Sequence, residues 1–93
     1  MDAETPGTRA GILLREEPFD LVTRVLGCKS EQARAQLLHV DPKTVYRARR
    51  GVVGEEFIAK TLTVMKANEG RLAAIGIEPI FESVFEVGER RAA

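Results

Sequence analysis

The constraint that bears hardest on this chain is the pair Asp41-Pro42. An aspartate can accept hydrogen bonds from the first free N–H groups of a helix, and the proline ring presets the φ of its first residue. A helix therefore starts at this point and runs to about Arg50, where Gly51 ends it. Just upstream, Ser30 caps another helix, with Glu31 in its first turn, where the helix dipole favours negative charge. Ala35, Leu37 and Leu38 supply its apolar contacts before the chain turns at His39-Val40. Two helices this short, joined by three or four residues, have to cross closely, and closeness dictates residue size. Ala35 is small where the helices meet, Leu38 and Val40 flank the turn, and Val45 anchors the second helix, with Ala48 one turn later.

A step of about 100° per residue then fixes what the second helix shows to the outside. With Val45 inward, Lys43, Arg47 and Arg50 cluster on the opposite side, and Tyr46 lies at their edge. This is the geometry of a helix-turn-helix whose second helix enters the DNA major groove. Arg and Lys are the usual readers of guanine O6 and N7, which assigns base contacts to Lys43 and Arg47. Thr44 and Tyr46 are placed to meet a thymine methyl or a phosphate. Arg49 and Arg50, later in the helix, are expected to grip the backbone and set register. A formal net charge of zero does not oppose this, because residues 21–50 hold seven basic groups against two acidic ones. A DNA surface needs a basic patch, not a basic whole.

The remaining chain reads as one small domain. Residues 1–9, with Pro6 and Gly7, are expected to be a flexible arm, residues 10–70 the DNA-binding unit, and residues 71–93 an extension that packs on it or dimerises. Ile12-Leu13-Leu14 fits a strand or a helical turn equally, since so short a run has no readable period. Pro18 suits the first position of a helix carrying Phe19, Val22, Val25 and Leu26, with Gly27 as its stop. Gly54-Glu55-Glu56 opens a fourth helix with Phe57, Ile58, Thr61, Leu62 and Met65 on one stripe, broken at Asn68-Glu69-Gly70. Arg71–Ile75 reads as a last helical turn that Gly76 stops. Ile80, Phe81, Val84 and Phe85 match helical spacing, while Phe81, Phe85 and Val87 match one face of a strand. The expectation is a short helix ending in a brief extended piece.

The segment from Glu31 to Gly51, particularly Val-Asp-Pro-Lys-Thr-Val-Tyr-Arg at 40–47, resembles the helix-turn-helix of the Xre/Cro/phage-repressor family of bacterial and phage regulators. The likeness extends from Pro18 to about Ala67. It implies an all-α fold, a compact four- to five-helix bundle of lambda-repressor type, binding double-stranded operator DNA as a homodimer. It also implies base-reading positions at Asp41, Pro42, Lys43 and Arg47, and phosphate contacts at the start of the preceding helix and at Arg50. Glu31 is a poor phosphate ligand, which leaves that role to Gln32. The family's usual turn glycine is His39 here, which requires φ > 0, and its usual apolar fourth position is Arg34. The function expected is a small transcriptional repressor on a pseudo-palindromic operator. The alternative is an antitoxin or anti-repressor that binds a protein partner through its C-terminal segment and uses DNA binding for autoregulation.

Other chemistry finds little footing. His39 is the only histidine, and no carboxylate–His–Ser or His–Cys arrangement lies near it along the chain. The one cysteine, Cys28, excludes an internal disulfide and a cysteine-based zinc site, and reads as a small buried hydrophobe. The adjacent pairs Glu16-Glu17 and Glu55-Glu56 are first-turn acids, not an acid/base pair. No phosphate loop or metal-ligand spacing occurs. The expectation is therefore no enzyme activity, no metal and no cofactor. The apolar runs are too short for a membrane span and the N-terminus lacks the layout of a secretory signal, so the chain is expected in the cytoplasm, at the nucleoid.

Overall fold

The computed structural model describes residues 8–91. The elements in chain order are β1 (Thr8–Leu14), α1 (Glu16–Val25), α2 (Glu31–Leu38), α3 (Pro42–Arg50), α4 (Glu55–Ala67), α5 (Glu69–Ala73), α6 (Phe81–Val84) and β2 (Phe85–Arg91). The protein is mostly helical, but it is not all-α: β1 and β2 form a two-stranded antiparallel sheet. Their register sets Leu14 opposite Phe85, Ile12 opposite Val87 and Gly11 opposite Gly88. The ambiguous run Ile12–Leu14 is thus a strand, and its partner lies at the far end of the chain, where local periodicity cannot see it. Thr8 and Arg9 belong to that strand instead of a loose arm; the rest of the expected arm, residues 1–7, lies outside the described residues.

The α3–α4 connection closes on the sheet. The Val53 N–H donates to Ile12 O at 2.8 Å. Gly11 permits this approach, because a Cβ there would stand 3.0 Å from Val52 Cγ1. Backbone bonds also join the two ends at the entry to α1, where Arg15 N–H donates to Val84 O at 2.8 Å.

The caps act where the sequence places them. Ser30 Oγ accepts from Ala33 N–H at 3.1 Å and Asp41 Oδ1 from Lys43 N–H at 2.9 Å, with Pro42 opening α3. Helix α1 begins two residues earlier than expected, so Pro18 sits inside its first turn. This is permitted, since N–H groups in the first turn have no partner within the helix. His39 adopts φ 57°, ψ 46°, the left-handed conformation that the turn requires. The Val40 N–H then reaches back to Ala35 O at 2.9 Å, closing the helix end. Lys60 Nζ, from α4, donates to His39 O at 2.9 Å and holds the turn from outside.

The core joins Leu14, Phe19, Val22, Ala35, Leu38, Val45, Ala48, Phe57, Met65, Leu72, Val84 and Phe85. Phe57 stands between Phe19 and Phe85, with ring centroids at 5.9 and 6.3 Å, and Phe81 adds a further ring 5.4 Å from Phe85. Helix α1, helix α4 and the C-terminal segment therefore share one interior. Leu72, Val84 and Phe85 complete the core, while Ile80 and Val87 remain exposed. The break expected at Asn68-Glu69-Gly70 is a single non-helical residue, Asn68, with α5 beginning at Glu69.

Candidate nucleic-acid interface

Helices α2 and α3 are joined by the three residues His39, Val40 and Asp41, and they pack through Ala35 and Leu38 on one side and Val45 and Ala48 on the other, all buried. That packing turns Val45 and Ala48 inward. Lys43, Tyr46, Arg47 and Arg50 are exposed. Among the described residues, no carboxylate pairs with Lys43, Arg47 or Arg50. The Arg50 guanidinium lies 5.0 Å from the centroid of the Tyr46 ring, a stacking contact that restrains both side chains on this face. Thr44 is half-buried and lines a shallow groove with Arg47, Val52, Val53, Gly54 and Phe57. Gln32 is exposed in the first turn of α2.

Arg49 does not join this face. Its guanidinium points inward between α1 and α2 and, among the described residues, bonds three carboxylates. Nη1 donates to Glu16 Oε1 at 2.9 Å, Nη2 to Asp20 Oδ1 at 2.6 Å, and Nε to Glu31 Oε2 at 2.6 Å. Its Cζ lies 5.6 Å from the centroid of Phe19. Arg34, the polar residue at a usually apolar position, belongs to the same cluster. Its Nη1 donates to Glu31 Oε1 at 3.2 Å and its Nε to Thr23 Oγ1 at 2.7 Å, with Asp20 at 3.5 Å. The hydrogen bond from Arg49 outweighs partial burial and holds the Glu31 carboxyl below its ordinary value of 4.5. The same bond pushes the Arg49 guanidinium further up, so it stays charged.

The expected backbone grip by Arg49 is therefore withdrawn, and the reason is helical phase. Four residues beyond Val45, Arg49 sits only about 40° from the inward direction, whereas Lys43, Arg47 and Arg50 lie about 140–200° away. The sequence carries this signal in the angle from Val45, together with acids in the first turns of α1 and α2. The cluster of Glu16, Asp20, Glu31, Arg34 and Arg49 is the feature that sequence reasoning missed.

The remaining chemistry-bearing residues sit apart. Cys28 is buried, and His39 is an exposed turn residue. Among the described residues no group of acids, His and Cys could hold a metal ion, and no helix is long and apolar enough to cross a membrane. Comparison with family models, with curated proteins and with solved structures finds no match.

Proposed function

We propose that this chain binds double-stranded DNA sequence-specifically through the outward face of α3, as a small transcriptional repressor acting as a homodimer on a pseudo-palindromic operator. The observation that carries the reading is the exposed trio Lys43, Arg47 and Arg50, unpaired with acids among the described residues and projecting from a capped helix braced by its neighbour. Lys43 and Arg47 in this reading meet base edges, Arg50 and Gln32 meet phosphates, and Thr44 and Tyr46 meet a thymine methyl or a phosphate. A dimer is supported by the outer edge of β2, which has no backbone partner among the described residues, and by Val87, 78% exposed on the sheet. An open strand edge is a template for pairing, here with a second copy.

The same edge also supports the second reading, an interaction protein of antitoxin or anti-repressor type that receives a different protein there. Selection from a random duplex library, followed by salt titration, separates the two. The repressor reading expects an enriched inverted repeat with half-sites about one turn, ~34 Å, apart. On that duplex Arg47→Ala costs about 1–3 kcal/mol and relaxes one position, while Arg50→Ala weakens all sequences alike. Weak, salt-sensitive and sequence-blind binding, with a stoichiometric second protein retained through residues 77–93, favours the interaction reading.

A further inference from the structure

We propose that Arg49 is a positioning residue for DNA recognition: by clasping carboxylates of α1 and α2 it sets the presentation of α3, and it contacts no DNA itself. This inference rests on the DNA-binding reading and adds to it the device that orients the site.

The geometry has three parts. First, α3 is short, and its apolar attachment to α2 comes from Val45 and Ala48, three residues apart on one stripe. Two small contacts along one line fix where a helix lies better than they fix its roll about that line. Second, Arg49 supplies an off-axis restraint. Its planar fork reaches Glu16 and Asp20 on α1 and Glu31 on α2, so α3 is tied to two elements from one residue. A fork with five donors can span three acceptors in fixed directions, which an ammonium cannot do. Third, the clasp lies next to the proposed phosphate-facing residue. Glu31 directly precedes Gln32, and an unneutralised carboxylate there would oppose a phosphate. Arg34 and Arg49 both hold Glu31, offsetting its charge.

The alternative role for this arginine, a phosphate ligand, makes different demands. A phosphate ligand tolerates lysine, and its removal reduces the salt dependence of binding by about 0.9 in the slope of log K against log salt. A positioning residue does not tolerate lysine and leaves that slope alone. The acids are still more telling. If they merely lie near DNA, removing one lowers repulsion and tightens binding to every duplex. If they anchor the clasp, removing one loosens α3 and reduces discrimination.

The experiment measures affinity for the selected duplex and for random duplex across salt, with wild type, Arg49→Lys, Arg49→Met, Asp20→Asn and Glu31→Gln. Each protein is held at a temperature where circular dichroism shows it folded. Amide hydrogen exchange of the free proteins runs in parallel. The expected result is a fall of about tenfold in the ratio of selected to random affinity for Arg49→Lys and Asp20→Asn, with an unchanged salt slope. Amides of α3 should exchange faster in those variants while those of α4 keep their protection. A wild-type ratio for Arg49→Lys together with a reduced slope for Arg49→Met overturns the proposal in favour of phosphate contact. Unchanged α3 exchange in both conservative variants overturns it as well. Should wild type discriminate no duplex, the DNA-binding reading falls, and exchange still decides whether Arg49 orients α3. If Arg49→Met does not fold, Arg49→Lys and the two acid variants carry the test.

Discussion

Helix α3 presents two faces that use the same residue types to opposite ends. On the inner side Arg49, its side chain 16% exposed, is bonded to three carboxylates among the described residues and stacked near Phe19. On the outer side Lys43, Arg47 and Arg50 meet no acid among the described residues. The difference lies in phase, not in composition: adjacent arginines at 49 and 50 are separated by about 100° of rotation, enough to send one into the fold and one away from it. A cationic helix therefore cannot be read as one surface. Its charges divide into those bonded within the fold and those left exposed, and the anchor residue decides the division.

Variants on the two faces sharpen or break that contrast. The largest effect expected is at the anchor, where Val45 is fully buried: Val45→Ala should cost about 2–3 kcal/mol in chemical denaturation. Arg49→Ala should cost about 1–3 kcal/mol, less than a deeply buried pair would, because its partner carboxylates are 30–47% exposed and partly screened. A loss under 0.5 kcal/mol there would show the clasp to be a surface decoration. Acid should weaken the fold through the same group. The folded-state pKa of Glu31 lies below its ordinary 4.5, so its contribution is complete above that value and is lost as pH falls through the lowered one. Urea midpoints measured from pH 6 to pH 3 should decline for wild type and decline less for Glu31→Gln. The smallest effect belongs to the outer face: Lys43→Ala, Arg47→Ala and Arg50→Ala should each change stability by no more than about 0.5 kcal/mol. A large loss at Arg47 would merge the two faces and remove the reason to assign one to a ligand.

Much of this was legible from residue order. Ser30 and Asp41 cap the helices they were expected to cap, Gly51 ends α3, and His39 takes the left-handed conformation that the turn demands. These features are local, and local chemistry is written in adjacent residues. What escaped depends on distant partners. Nothing near Ile12–Leu14 distinguishes a strand from a turn, because the deciding partner is Phe85–Val87. The C-terminal apolar residues look available for a dimer until Val84 and Phe85 are seen to fill the space beside Phe57. Arg34 reads as a flaw in the pattern until Asp20, Thr23 and Glu31 are placed around it.

The most direct test of the two-faced helix is an NMR titration of isotope-labelled protein with the selected duplex, following backbone amides and arginine Nε groups together. The largest shifts are expected on Lys43, Thr44, Tyr46, Arg47 and Arg50, with Gln32 at the edge, while the Arg49 Nε and the amides of Glu16 and Asp20 hold near their free positions. Shifts confined to β2 and the exposed Ile80, or a large displacement of the Arg49 Nε with Arg47 unmoved, would contradict it.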